Sequence, residues 1–122
     1  MRFRPEQHLR SQSEIRAVRT GGVRMDCRAY TVWCLRGGDR KTPRLAVAAP
    51  AAALKTAVQR NRARRRLREI FRKNQRRLPP DCDLLIVAKP AAALRPYEEL
   101  EKSFVEICAR VGSPVPARGC PS

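Results

Sequence analysis

Arg60, Asn61 and Arg62 begin the densest group of anion-binding side chains in this sequence. The segment 56–77, TAVQRNRARRRLREIFRKNQRR, contains ten arginine or lysine residues and a single acid, Glu69. A guanidinium group binds phosphate oxygens through parallel hydrogen bonds, and an asparagine side chain offers both a donor and an acceptor. These residue types therefore indicate a surface that binds a phosphate-rich polymer.

The residue types that enzymes and metal sites use most often are scarce. The chain has one histidine, His8, and its five cysteines form no C-x-x-C pair and have no histidine at ligand spacing. Asp81 and Asp83 flank the start of a predicted strand, and we interpret them as turn residues. No paired carboxylates or Cys–His dyad stand at a recognisable spacing. The sequence therefore predicts no catalytic residue and no metal site in the protein itself.

Composition predicts one small, strongly basic domain. Its 122 residues are 43% hydrophobic, which is enough for a core, and the formal net charge is +16. Of this charge, +10 comes from residues 55–77, +7 from 1–54 and −1 from 78–122. Such a domain binds polyanions because each paired phosphate releases condensed counterions. We expect the domain to span 1–111, with about eight flexible residues at its start, and 112–122 to be a disordered tail.

Cysteine usage and the first residues bear on location. An odd cysteine count, with no apolar leader in MRFRPEQHLRS, predicts reduced thiols in the cytoplasm. No apolar run approaches the length of a membrane span, so no membrane partner is expected.

Hydrophobic periodicity and helix-capping residues predict a single-domain α-β-β-α-β-α sandwich, with helices packed on a small central sheet and room for one further short strand. Capping boxes at Ser11–Glu14 and at Thr56–Gln59 place the first two helix starts. The predicted elements are a helix over about 11–20, a hairpin of strands within 27–49, a helix from 56 or 57 to 77, a strand at 83–88 covered on both faces, and a helix over about 96–111.

The basic segment has the phase of an amphipathic helix. At about 100° per residue, Ala63, Leu67, Ile70 and Phe71 share one face, which we expect to pack on the sheet. The opposite, solvent face is cationic, and Arg66 extends it on one side. Its members are Arg62, Arg65, Arg68 and Arg72.

Two arginines do not follow this division. Arg60 and Arg64 fall on the apolar side, and we expect them to project beyond the core over the rim of the sheet. The helix start there offers unpaired N–H groups and a positive dipole end, so the cluster of Arg60, Asn61 and Arg62 is the favoured phosphate site. An idle solvated face and a helix lying on an anionic membrane are the less favoured interpretations of the same segment.

AVQRNRARRRLREIFR (57–72) resembles the signature of the bacterial ribonuclease P protein family, an R-N-R followed by a basic helix. LRSQSEIRAVRTGG resembles the family's first helix and the glycine after it. LPPDCDLLIVAKPAAALRPYEELEKSF resembles its later strand and final helix, so about 9–110 is covered. The first-helix aromatics of the family are replaced here by Ile15 and Arg19, and AAALKTAV keeps only part of the family's lysine-rich segment before the helix.

The resemblance implies an α/β sandwich with a left-handed β-α-β crossover. It implies two partners, the catalytic RNA subunit and precursor tRNA, and requires no protein partner. The RNA with Mg²⁺ would remove the 5′ leader, and the protein would bind both RNAs. The implied RNA-binding residues are Lys55, Arg60, Asn61, Arg62, Arg64, Arg65, Arg66, Arg68 and Arg72. The implied leader cleft comprises Ile15, Val18, Arg19, Tyr30, Val32 and Val47, of which the three sheet residues could equally be core.

Two other functions remain open from the residues alone. A structural protein that binds ribosomal RNA would have a similar composition, and so would a protein that compacts DNA without sequence preference. The R-N-R motif and its flanks favour the ribonuclease P interpretation.

Arg19 could replace a stacking aromatic by pairing with phosphate or by stacking itself.

Overall fold

The structure, a computed structural model, describes residues 12–37, 43–79 and 81–112. Ser11, the predicted flexible start and the predicted tail beyond Gly112 lie outside the described residues. The elements are α1 (Gln12–Gly21), β1 (Val23–Asp26), β2 (Tyr30–Arg36), β3 (Arg44–Ala48), α2 (Ala57–Asn74), β4 (Cys82–Ala88), α3 (Ala91–Leu94) and α4 (Tyr97–Gly112), with a short 3-10 turn at Gln75–Arg77.

The four strands form one sheet in the order β1-β2-β4-β3. β2 pairs antiparallel with β1 and with β4, and β3 pairs parallel with β4. The predicted hairpin within 27–49 is therefore wrong, because β4 lies between β2 and β3. The continuous apolar run of β4 explains its position, since only a central strand is covered on both faces. The hairpin partner of β2 is β1, a four-residue strand; the sequence analysis allowed one further short strand but did not place it.

The helices cover the two faces of the sheet to different extents. α2 and α4 cover a large core that includes the inward side chains of β2 and β4, with Val32 paired in register to Ile86. The opposite face carries α1, where Val18 packs on Leu85 in a second, smaller cluster. β4 contributes side chains to both clusters, as predicted. The larger core holds α2 rigidly, whereas α1 rests on few buried side chains.

α2 begins and packs as its sequence predicts. The hydroxyl of Thr56 accepts a hydrogen bond from the Gln59 amide at 3.1 Å, which caps the first turn. The side chains of the predicted inner face, Ala63, Leu67, Ile70 and Phe71, are all 0% exposed. Each buried leucine, isoleucine or phenylalanine stabilises the fold by roughly 1.5–3 kcal/mol relative to exposure. The phase of α2 is therefore fixed by its core residues.

The other predicted helices are found within one residue of their expected bounds. α1 ends at the predicted Gly-Gly stop, where the Gly22 amide donates to the Val18 carbonyl at 2.9 Å. A Cβ at Gly22 would lie 2.5 Å from that carbonyl oxygen and 2.8 Å from the Cys34 carbonyl oxygen of β2, so only glycine allows this close approach to β2. The four-residue α3 was not predicted. No helix in the described ranges is long and apolar enough to cross a membrane.

Candidate nucleic-acid interface

The solvent face of α2 carries guanidinium groups that no described residue neutralises. Arg62, Arg65 and Arg68 are exposed, and none of the three makes a hydrogen bond or ion pair within 12–37, 43–79 and 81–112. Their helical spacing of three residues places them along one side of α2. These three arginines have the exposure and the free donors that phosphate binding requires.

The predicted Arg60-Asn61-Arg62 cluster is divided by its contacts. Arg60 is partly buried, and its Nη1 donates to the Leu54 carbonyl at 3.0 Å, so it ties the helix to the preceding loop. Asn61 is exposed, and its Oδ1 accepts a long, 3.4 Å hydrogen bond from Nη1 of Arg64. Lys55, just before the capping threonine, is also exposed. Arg60 therefore holds the start of α2 against the preceding loop, whereas Asn61 and Lys55 are exposed to solvent.

Arg66 differs most from the predicted role. Its Nη1 donates to the carbonyls of Ala92 at 3.1 Å and Arg95 at 2.7 Å, both in the segment around α3. Burial, together with the nearby charge of Arg62, lowers the pKa of Arg66. Arg66 therefore joins α2 to α3, and that contact does not follow from the charge pattern of the helix.

An open recess of 410 Å³ lies along one side of the basic face. At its far end Arg72 pairs with Glu69, and that hydrogen bond lowers the pKa of the Glu69 carboxyl. The recess is thus most positive toward the start of the helix. Its lining consists of Asn61, Arg64, Arg65, Arg68, Glu69 and Arg72.

The predicted leader cleft requires a correction on the sheet. Tyr30 and Val32 are fully buried on the face under α2 and α4, and the Tyr30 hydroxyl donates to the Leu100 carbonyl at 2.8 Å. Val47 packs against the same core. Because strand residues alternate between faces, these three residues are in the core and are not on the open face beside α1.

The α1 residues of the predicted cleft lie on the opposite face of the sheet. Ile15 is half-buried there, Val18 is fully buried against Leu85, and Arg19 is exposed. A cleft beside α1 would therefore be formed by those strand residues whose side chains point away from the core that contains Tyr30 and Val32.

Trp33 is the site residue that the sequence reasoning missed. It is half-buried on the α1 face, with the guanidinium carbon of Arg19 5.1 Å and that of Arg24 5.6 Å from its ring centroid. A cation–π contact of this kind leaves the Arg19 donors available to a phosphate, whereas Nη2 of Arg24 pairs with Asp26 at 3.1 Å. The available signal was the strand alternation, since a buried Tyr30 and Val32 require Trp33 to face the other way.

Groups for metal binding do not come together in the described part of the chain. No three His, Cys, Asp or Glu side chains there could hold a metal ion. Several carboxylates pair with arginines, as Glu99 does with Arg95, and that hydrogen bond lowers the pKa of the Glu99 carboxyl. The site described above offers positive charge and an aromatic ring.

The family model for ribonuclease P matches residues 3–112. This chain belongs to the ribonuclease P protein family. The ribonuclease P protein component of Syntrophobacter fumaroxidans is 36% identical over 107 residues, or 87% of this chain and 88% of that protein. The component from Vibrio campbellii is 44% identical over 79 residues, or 65% of this chain and 66% of that protein.

The fold also matches that of ribonuclease P proteins. The RNase P protein from Thermotoga maritima has a TM-score of 0.75 at 18% identity, covering 87% of this chain and 98% of that one. At this identity the likeness concerns the fold alone. It agrees with the mixed α/β architecture predicted from the sequence.

Proposed function

We propose that this chain is the RNA-binding protein subunit of ribonuclease P. In this role it binds the catalytic RNA subunit and the 5′ leader of precursor tRNA, and so assists the endonucleolytic removal of the leader in the cytoplasm. The observation that carries the proposal is a row of exposed arginines on α2 that pair with no described residue, in a member of this family. They are Arg62, Arg65 and Arg68. The protein contributes binding, and the chemistry belongs to the RNA.

The two faces of the sheet offer different contacts for RNA. The rigid basic face of α2 presents repeated guanidinium groups without an aromatic side chain among them, which suits the phosphate backbone of a folded RNA. The opposite face presents Trp33 beside Arg19 and Arg24, which suits a single strand whose bases are free to stack. We assign the catalytic RNA to α2 and the leader to the Trp33 face.

Mg²⁺ enters this proposal as an ion held by RNA. Hard divalent cations require several oxygen ligands, and the basic face of α2 has one carboxylate, Glu69, which is already paired with Arg72. The residues present do not fit a protein-held Mg²⁺ site on this face. The protein would instead lower the repulsion between RNA phosphates, which reduces the Mg²⁺ concentration that the RNA needs.

The identity of the bound RNA tests the proposal. The tagged chain should be recovered from its native cells, and the RNA that copurifies should be sequenced. We expect a catalytic RNA and precursor tRNAs to be enriched over an Arg62→Ala/Arg65→Ala/Arg68→Ala variant. Recovery of ribosomal RNA or genomic DNA in their place would support one of the two alternative functions and contradict this one.

A further inference from the structure

α1 lies across the strands of the sheet. Its C-terminal end is above β2, where a Cβ on Gly21 would lie 3.6 Å from Cδ1 of Leu35. Its first turn reaches β3, where Oε2 of Glu14 lies 3.0 Å from Nη1 of Arg44. Leu35 and Arg44 are both register partners of Asp83 on β4. The ten residues of α1, about 15 Å, thus cover this row of the sheet across three strands.

The rows beside α1 are less covered. Moving along the strands, the next row on this face contains Trp33, Leu85 and Ala46, and the row after that contains Thr31, Val87 and Ala48. Leu85 is buried beneath Val18 of α1 and Thr31 is also buried, whereas the other four side chains are only half-buried. α1 is therefore one wall of a groove whose half-buried floor consists of Trp33, Val87 and two alanines. The position of α1 along the strands sets the width of that groove.

The two ends of α1 are held by different forces. Near its C-terminus Val18 is fully buried and Gly22 packs directly against the backbone of β2. Near its N-terminus Ile15 is only half-buried, and the polar contact to β3 is that between Glu14 and Arg44. A ten-residue helix is marginal without tertiary contacts. The ion pair between Glu14 and Arg44 therefore helps to hold the N-terminal half of α1 over β3.

Arg44 is itself firmly held. Its Nε and Nη2 each donate at 3.0 Å to one oxygen of Asp83, a bidentate pair whose side chains are 17% and 7% exposed. The paired geometry is specific and strong, and it leaves Nη1 for Glu14. The Glu14 side chain is 40% exposed, so this half of the network is the weaker one. Arg44 is a fixed point to which the first turn of α1 attaches.

We propose that Arg44 is a positioning residue, which holds the N-terminal half of α1 over β3 through Glu14 and so sets the width of the groove that receives single-stranded RNA. The inference rests on the proposed function for the nature of that RNA, the 5′ leader. Loss of the Glu14 contact frees the first turns of α1 to move along β3 over Ala46 and Ala48. The leader then meets a wider or obstructed groove.

Glu14→Gln in the full chain is the decisive variant, because it removes the ion pair while Arg44 and Asp83 remain together. Arg44→Ala is less useful, since it removes the bidentate pair of the buried Asp83 and lowers stability directly. Glu98→Gln is the matched control, since Glu98 is an exposed acid on α4 and the charge change is the same. Amide hydrogen exchange reports the position of α1, and binding to precursor tRNA and mature tRNA in the presence of the catalytic RNA reports the groove.

Glu14→Gln should speed exchange in the first turns of α1 by roughly two- to fivefold, as expected for an exposed ion pair. Exchange in α2 and β4 should not change. The preference for precursor tRNA over mature tRNA should fall by a similar factor, and Glu98→Gln should alter neither quantity.

Unchanged exchange in α1 would overturn the positioning role. Faster exchange with an unchanged preference for precursor tRNA would overturn the link between α1 and the leader. If the wild-type chain itself shows no preference for the RNA with a leader, the proposed function is wrong. The exchange measurement then still decides whether Arg44 positions α1.

Discussion

The arginines of α2 fall into two groups according to what their guanidinium groups contact. Arg60 and Arg66 donate to backbone carbonyls of neighbouring segments and are only partly accessible. Arg62, Arg65 and Arg68 point into solvent without a partner among the described residues. The first group therefore stabilises the contacts of α2 with neighbouring segments, whereas the second group is available to bind RNA.

Arg62→Ala and Arg66→Ala should therefore have opposite effects. Arg62→Ala should weaken RNA binding and reduce the slope of log affinity against log salt by roughly one, since one phosphate contact is lost. Its melting temperature should stay close to that of the wild type. Arg66→Ala leaves two carbonyls without their donor, and we expect a loss of about 1–3 kcal/mol in stability. Salt-dependent anisotropy and thermal melting separate the two, and equal melting temperatures would contradict the division.

Trp33 is the only tryptophan of the chain, so its fluorescence reports directly on the α1 face. A short single-stranded RNA should change that emission, because a base stacking near the ring or a phosphate drawing Arg19 and Arg24 away alters its surroundings. A fully paired RNA of equal charge is the control and should leave the emission unchanged. Equal responses to both RNAs would remove the distinction between the two faces.

At the scale of the element, one face of α2 packs in the core and the opposite face is exposed to solvent. Its capped start, its inner row of buried residues and its continuation into the 3-10 turn fix its rotation. Because the rotation is fixed, the spacing of the outer arginines is fixed before RNA arrives. Preorganisation of this kind lowers the ordering cost of binding.

Truncation of the inner face should destabilise the domain, whereas truncation of an outer arginine should not. Leu67→Ala or Phe71→Ala should lower the free energy of unfolding by about 2–5 kcal/mol, the usual cost of a large core truncation. Arg65→Ala should change it very little. Urea denaturation measures the free energy of unfolding of each variant. An equal loss for the core variants and the arginine variant would contradict the assignment of the buried and exposed faces of α2.

The part of the fold that follows from local periodicity was predictable. The inner face of α2 and the doubly covered strand β4 are encoded by the spacing of apolar residues. The hairpin was not predictable in this way, since the choice of β1 and β4 as the partners of β2 depends on contacts distant in the sequence. The role of Arg66 also depends on where α3 packs against α2. The spacing of residues within α2 gives no information about that contact.

The exposure of the candidate residues was predicted better on α2 than on the sheet. Helical phase placed Arg62, Arg65 and Arg68 on the solvent face, where the structure has them, and their contacts with RNA stay a prediction. The strand residues were assigned to the cleft through the family resemblance without testing which face each one occupies. A one-residue difference in parity exchanges Val32 for Trp33, and with it a fully buried core side chain for a half-buried ring.

At the scale of the whole molecule, several partly exposed carboxylates add to the stability of the folded chain because their ionised form is favoured there. Hydrogen bonds from Thr31 to Asp26, from Arg72 to Glu69 and from Arg95 to Glu99 lower the pKa of each carboxyl. A lowered pKa in the folded state contributes stability above the unfolded value, and that stability is lost as pH falls through the folded value. Protonation also raises a net charge that is already +16.

Stability should therefore fall with pH below about 4, where free carboxyls begin to protonate. Melting temperatures between neutral and acid pH measure the decline. Added polyanion or salt should reduce the part that comes from charge repulsion. A melting temperature that rises on acidification would contradict the assigned directions of the pKa shifts.

Cleavage of precursor tRNA at limiting Mg²⁺ tests the central claim most directly. The wild-type chain, added to its cognate catalytic RNA, should stimulate accurate 5′ cleavage, and Arg62→Ala/Arg65→Ala/Arg68→Ala should lose most of that stimulation. A variant with the same loss of charge at exposed positions elsewhere, Arg28→Ala/Lys102→Ala/Arg110→Ala, should retain it. Equal loss in both variants would mean that only total charge matters, and no stimulation by the wild type would contradict the account.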